Sequence, residues 1–488
     1  MEHYESISRG VRFLIEKDTD GNCIPEGTGI MEIGSFYIPT IEMIDVAVYS
    51  LQAFRAANDI FQELSWAKNS VNIVDRECAQ SPLERVDCDK HNEADCTKHL
   101  CVWSPISAEE YSQLNLPGNT PWCHFPLWTL NSLNLTRMQQ EATETQNRAQ
   151  GINSFLMKEM WLPDEEIVAE FFATTVEVIP IIKEALSRVQ AMPNRNQMRN
   201  KLITKLRDAE RFILLNTKEA EQKKGWNIFQ SWITSIAMEQ RILPNEMALQ
   251  ALKTATLYSN QYGMYVTGID KPDEIPSQSE GFQNLGLYTN AVMTLPTGVQ
   301  AMAESKYFNI SAILQYLEKL SASFSYETPG TLHELSPSGG CYVQAWSIYS
   351  IAVPVVKGLY GIDVESRKGE TTVHISPLFP PTWPYMRISR VPIGHEPESS
   401  FVSYSCEISA STIVCLVELH SQAVHSEKLF FHWILEQDIL KNKVHNFSIN
   451  SKPATPSLRA EHKAGFLLPS NSNRWELRWT NKPKKDEL

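Results

Sequence analysis

The chain has 488 residues, a formal net charge of -13, 42% hydrophobic residues and 21% charged residues. That length holds a large core with room for smaller modules, and the composition is that of a globular protein. The acidic balance, broken only by the short Lys482, Lys484, Lys485 cluster, argues against nucleic acid as a partner, and no run reaches the roughly 20 apolar residues of a membrane span.

Met1 to Gly10 reads MEHYESISRG, with neither a basic flank nor an apolar core, so it is not a signal peptide. Next comes a Gly-rich acidic loop, Asp18–Phe36, carrying Asp18, Asp20, Glu26 and Glu32. It does not form an EF-hand, because Cys23 stands where the turn glycine belongs and Gly29 where the final glutamate belongs. Apolar residues then recur at helical spacing from Ile44 to Leu64 and predict a helix over Ile41–Leu64.

Cys78, Cys88, Cys96, Cys101 and Cys123, five of the nine cysteines, crowd into one segment of low apolar content. Such density points to cross-linking in an oxidising compartment. A zinc knuckle is the alternative, but the paired C-x₂-C ligands usual for zinc are absent.

Further helices are predicted over Glu165–Met192 (broken or kinked at Pro180), Met198–Gln222, Trp226–Gln240, Glu246–Asn260, Ser311–Ser323 and Val343–Tyr360. Serial helix pairs of this kind suggest a toroid of helical hairpins or a solenoid. A second loop, Pro329–Trp346, carries His333 and Glu334 and leads through Gln344 and Trp346 into the last helix. After Ile362 the apolar period falls towards two, in Thr371–Ile375, Phe401–Ile408, Ser411–Leu419 and Lys428–Leu435, which predicts strands and a small β-sandwich. Asn134, Asn309 and Asn446 each open an N-glycosylation sequon. The chain ends Lys485-Asp486-Glu487-Leu488, the address read by the KDEL retrieval receptor, which places the protein in the endoplasmic reticulum lumen. A luminal address without an entry signal suggests a chain lacking its natural N-terminal part.

Two resemblances add to this reading. In the cysteine-rich segment, Arg85 before Cys88, Trp103 after Cys101 and the run Pro121-Trp122-Cys123 resemble a trefoil (P-type) domain. In the register set by Trp103, the resemblance implies disulfides Cys88–Cys101 and Cys96–Cys123 and leaves Cys78 unpaired. Some trefoil modules bind sugars, and others are spacers.

Elsewhere IPEGTGIMEI followed by IDVAVYSLQAFRAA, then HELSPSGGCYVQAWS and ISPLFPPTWPYMRI, resemble in order the six-hairpin (α/α)₆ glycosidases, most closely the amylo-α-1,6-glucosidase or glycogen-debranching type. The resemblance implies a mainly α fold: an (α/α)₆ toroid incomplete at its N-terminus, with a cysteine-rich insert and a C-terminal β-sandwich. The implied domains are toroid at 1–76 and 127–362, insert at 77–126, and β domain with KDEL tail at 363–488. It also implies hydrolysis of α-glucosidic linkages in an oligosaccharide or glucan, with inversion, and no metal or organic cofactor.

Glu334 maps onto the general base. Glu32 is the candidate acid, with Asp18, Asp20 and Glu26 as rivals because the Trp-Met-Asp pattern of debranching enzymes is absent. His333, Gln344, Trp346, Trp226 and Trp232 are candidate substrate contacts, Trp232 being equally a large core residue. A glycan-binding lectin on the same fold and an N-glycan trimming glucosidase are the rival functions.

Overall fold

The computed structural model describes residues 4–27, 29, 41–70, 102–103, 106–107, 123–124, 135–192, 196–215, 217–271, 291–325, 330–336, 339–341, 344–367, 370–393, 400–409, 411–421, 427–434, 445–455, 458–460, 463–469 and 474–481. The chain divides into two compact units, one of residues 1–16 and 51–150, the other of 17–50 and 151–488.

In the first unit, the helix Tyr4–Glu16 is held largely through the Glu141 carboxylate, with Arg137 also pairing with Glu5 at 3.1 Å. Glu141 accepts the Tyr4 hydroxyl at 2.7 Å, the Ser8 hydroxyl at 2.6 Å, Arg12 at 3.2 Å and Arg137 at 3.1 Å. Burial opposes the Glu141 charge, but the donors from Ser8, Tyr4, Arg137 and Arg12 together outweigh it and lower its pKa. The Tyr4 ring also meets Phe61 edge to face, 5.7 Å between centroids. The short strands Val102–Trp103 and Cys123–His124 pair antiparallel, with Trp103 opposite Cys123.

In the second unit, several helices start directly from a short strand. Glu42–Met43, Phe171–Thr174 and Lys223–Trp226 form a three-stranded antiparallel sheet. The first strand runs into the helix Ile44–Ser70, the second into Thr175–Gln190. The second helix begins with a capping box: Thr174 accepts the Glu177 N–H, and Glu177 accepts the Thr174 N–H. Val292–Met293 pairs with Gly263–Tyr265 and leads into the helix Thr294–Lys306.

Every residue of Thr294–Lys306 from Thr294 to Ser305 is buried, apart from the partly buried Leu295. A Cβ on Gly298 would lie 2.3 Å from the Ser350 backbone, so the missing side chain allows this helix to pack closely on Ala345–Val353. The latter continues as a π-helical turn, Pro354–Leu359, and stops at Gly361, whose φ of +65° gives the left-handed cap before the strand Ile362–Arg367.

From Ile362 on, the described elements are β-strands. Six strands lie in the order Tyr385–Pro392, Ser400–Ile408, Thr412–Ser421, Arg474–Asn481, His445–Ile449, Lys452–Ala454. A five-stranded sheet has the order Ile362–Arg367, Glu370–Ile375, Glu427–Ile434, Lys463–Leu467, Leu458–Ala460. Their inner faces share one apolar core that includes Phe431, Trp433, Trp475 and Trp479. Cys406 and Cys415, directly opposite on neighbouring strands, are joined by a buried disulfide.

The expectation of a mainly α toroid is therefore corrected. Among the described residues about half are helical, but 26% are strand, spread over several sheets that include a six-stranded one. The physical reason lies partly in the helical part itself. The segment expected to be helical from Glu165 holds the strands Ile167–Val168 and Phe171–Thr174 before its helix begins. The segment expected from Trp226 to Gln240 is the end of a strand, a loop, a 3₁₀ turn at Trp232–Ser235 and one helical turn at Ile236–Glu239. Strands of two to four residues are too short to show a period of two.

Among the described residues, no helix is long and apolar enough to cross a membrane.

Candidate active site

The loop carrying Glu334 is tied to the buried helix Thr294–Lys306. Leu335 bridges Met293, and the Ser336 N–H donates to the Val292 carbonyl at 2.9 Å. The Glu334 carbonyl accepts the Thr294 N–H at 3.0 Å and the Thr294 hydroxyl at 3.2 Å. Thr294 also lies 3.1 Å from the Ser347 hydroxyl, in the first turn of Ala345–Val353. The backbone at Glu334 is thus fixed to one helix start, and Thr294 links that start to another.

The Glu334 side chain is held within its own loop. Oε2 accepts the Cys341 N–H at 3.1 Å, and the Glu334 N–H donates to the Cys341 carbonyl at 3.0 Å. Gly340 has φ +68°, and a Cβ there would stand 2.6 Å from Glu334 Oε2. A glycine is needed at 340 for both its backbone and its space. His333 is fully buried, and its Nδ1 accepts the Gly339 N–H at 3.1 Å, which leaves the ring proton on Nε2. Glu334 is 3% exposed, while Trp346, just inside the following helix, is 36% exposed. The buried Ser336 hydroxyl and the Gln344 Oε1 have no hydrogen-bond partner among the described residues. A buried carboxylate, two polar groups with spare capacity and an exposed indole therefore belong to one loop and helix start. This set can orient a polar ligand and move a proton.

Of the other sequence candidates, Glu32 lies outside the described residues, as do Cys88, Cys96, Cys101, Asn134 and the Lys485–Leu488 tail. For Cys123 only the strand is described. Trp226 lies on the strand Lys223–Trp226, donates its indole N–H to the Ala173 carbonyl at 3.0 Å and lines a cavity to which Glu334 does not contribute. Trp232 is 3% exposed, a core position. Asn309 is exposed, with its Nδ2 donating to Glu304 at 2.8 Å. Asn446 Nδ2 is buried without a partner among the described residues.

The rival acids are engaged elsewhere. Glu26 accepts the backbone and hydroxyl of Thr19, and Asp18 accepts the Cys23 N–H. Asp20 pairs with Lys223 at 2.8 Å. Asp20, Glu26 and Glu42 have carboxylate oxygens within 4.8 Å of one another, and the cation bonded to Asp20 and Glu42 is the Lys223 ammonium.

Sequence reasoning missed several buried acids, among them Glu304, which burial raises to about 6. Burial pushes Glu42, Glu170 and Glu239 each up to about 7. Glu170 accepts backbone N–H groups of Ile228, Phe229 and Ser231, which makes it a structural clasp. Glu239 accepts the hydroxyl of Tyr349, on the helix that follows the Glu334 loop. Their one legible signal was a lone charge in an apolar run, as in SIAMEQ or TIEMI.

Residues 78–126 match the trefoil (P-type) domain. The trefoil match covers this segment and leaves the rest of the chain unassigned. No curated protein shows a significant match.

Among solved structures, a sialidase aligns at a TM-score of 0.44 and 9% identity, over 83% of this chain and 28% of its own. An alpha-L-rhamnosidase from Dictyoglumus thermophilum aligns at 0.30 and 11%, over 96% of this chain and 49% of its own. A GH127 beta-L-arabinofuranosidase from Geobacillus stearothermophilus T6 aligns at 0.25 and 9%, over 99% and 80%. The chain thus spans about a quarter of the sialidase and about half of the rhamnosidase.

Proposed function

We propose that this chain is a glycoside hydrolase of the endoplasmic reticulum lumen acting on α-glucosidic linkages, with Glu334 as its general base. The observation that carries the reading is the placement of Glu334. It is almost fully buried, clasped by Cys341 and joined through its backbone to Thr294, which links by Ser347 to the helix that carries the exposed Trp346. In an inverting reaction this carboxylate takes a proton from water as the water oxygen bonds to the anomeric carbon. A carboxylic acid on the other side gives its proton to the departing glycosidic oxygen as that bond breaks. Glu32 is the proposed acid, and the two carboxyls should then lie about 6.5–9.5 Å apart.

The luminal location draws on the Lys485–Leu488 address, with the KDEL retrieval receptor as partner. The buried Cys406–Cys415 disulfide also fits an oxidising compartment. That compartment makes an N-glycan the second substrate class to assay beside glucans.

The test is turnover of a panel of α-glucosides and glucosylated N-glycans by luminal protein, with the anomer of the released sugar read by NMR. Release of the β-anomer supports the reading. Tight binding without any turnover would move the chain to the lectin class.

A further inference from the structure

Beside the strand Lys223–Trp226 lies a cavity of about 360 Å³, lined in part by Glu165, Asp208, Phe212, Lys224, Trp226 and Asn227. A second, of about 460 Å³, shares Glu165 and adds Asp164, Met198, Gln230 and Tyr258. Both volumes suit small-molecule ligands, and Glu334 lines neither.

The charges inside are balanced and largely committed. In the smaller cavity Glu165 and Asp208 face Lys205 and Lys224; in the larger, Asp164 and Glu165 face Lys201 and Lys271. Glu165 is held between Lys205 at 2.7 Å and Lys201 at 3.5 Å, and Lys271 donates to the Leu257 carbonyl at 2.6 Å. In a chain of net charge -13 this neutral lining disfavours a strongly charged ligand of either sign.

The uncommitted groups are polar and aromatic. Asn227, 3% exposed, donates Nδ2 to Glu165 at 3.2 Å, and its main-chain carbonyl accepts Lys205 at 2.7 Å, which fixes the residue. Its Oδ1 has no hydrogen-bond partner among the described residues, an acceptor whose burial is costly until a donor meets it. The Lys224 ammonium rests 4.4 Å from the Trp226 ring centroid and 5.0 Å from that of Phe212. Burial lowers the Lys224 pKa, and it makes no ion pair among the described residues, so it remains a hydrogen-bond donor framed by two apolar rings.

Alternating donors and acceptors against aromatic carbon, without net charge, suit the hydroxyls and C–H faces of a sugar. We infer that these paired cavities form a second, non-catalytic site for a neutral oligosaccharide, built around Glu165, Asn227, Phe212 and Lys224. The choice of a glucan as probe rests on the glycosidase reading.

The experiment is a titration of the full chain, labelled with ¹³C at its methionine methyls, with maltotetraose. Met198 lines the larger cavity and reports on it. Saturable movement of the Met198 resonance is expected, unchanged in Glu334→Gln and weakened at least about tenfold in Phe212→Ala and in the more conservative Asp208→Asn, the loss of roughly one good contact. An unmoved Met198 resonance at saturating sugar overturns the inference, as does movement that survives both substitutions or tighter binding of glucose 6-phosphate than of glucose. Movement without any hydrolysis upholds the site and defeats the hydrolase reading. Hydrolysis without movement does the reverse.

Discussion

Glu334 and Cys341 hold each other in both directions: the Cys341 N–H donates to Glu334 Oε2 at 3.1 Å, and the Glu334 N–H donates to the Cys341 carbonyl at 3.0 Å. A carboxylate fixed by its own loop keeps one geometry without help from a ligand, as a group that must meet a water molecule in a defined place requires.

Gly340 makes that clasp possible. Gly340→Ala places a Cβ 2.6 Å from Glu334 Oε2, which must then shift, and forces an L-residue to φ +68°. The left-handed conformation alone costs roughly 1–2 kcal/mol. Turnover should fall far more than the melting temperature does. Unchanged turnover in Gly340→Ala would show that the clasp is irrelevant to activity.

Lys223 neutralises Glu42, which is 1% exposed, and Asp20. Lys223→Met leaves a buried carboxyl without its cation and should cost on the order of 3 kcal/mol, read as a lower urea midpoint. A double variant, Lys223→Met with Glu42→Gln, should recover part of the loss. No recovery would mean that Lys223 acts through packing alone.

The stability profile against pH should be a hump. Glu42, Glu170 and Glu239 are pushed up to about 7 by burial, whereas an unfolded glutamate ionises near 4.3. Between those values the native state binds more protons, so stability is present below the unfolded pKa and is lost as pH rises through about 7. Glu141 has the opposite sign: its lowered pKa gives stability that is lost as pH falls through it. The urea midpoint should therefore peak at about pH 4, close to the unfolded glutamate value, and decline towards about pH 8. Glu239→Gln should flatten the decline, and a midpoint that still climbs at about pH 8 would contradict it.

The Cys406–Cys415 disulfide closes a short loop, with a sequence separation of 9. Its removal in a Cys406→Ala, Cys415→Ala double variant should destabilise the chain by roughly 2–3 kcal/mol. A midpoint equal to that of the parent would remove the disulfide from the account of stability.

The sequence made some elements legible and hid others for physical reasons. The helix expected over Ile41–Leu64 is seen at Ile44–Ser70, where one face buries Val48, Leu51, Phe54 and Phe61. By contrast Thr294–Lys306, the helix that fixes the Glu334 backbone, was not anticipated. It is buried almost all round, so it has no amphipathic period, and Pro296 and Gly298 read as breakers. Yet Pro296 lies in the first turn, where its missing N–H is not needed, and Gly298 allows close packing on Ser350. Leu135–Lys158 was hidden for the opposite reason, a largely polar surface around Met138, Ile152 and Leu156. At the site, the loop of His333, Glu334, Gln344 and Trp346 was legible as a motif. The separate setting of Trp226 and the buried Glu239–Tyr349 pair were not, because both depend on contacts distant in sequence.

The role of Glu334 is tested most directly by hydrolysis with a Glu334→Gln variant, the parent protein being assayed in parallel on an α-glucoside that it cleaves. Glutamine keeps the size of the side chain and much of its hydrogen bonding, but it cannot accept the proton from water. The rate should fall by a factor on the order of 10²–10⁴, the usual contribution of a general base, while the urea midpoint changes little. Added azide, which needs no deprotonation, should restore turnover and yield a β-glycosyl azide. A Glu334→Gln protein that hydrolyses the substrate as fast as the parent would contradict the assignment.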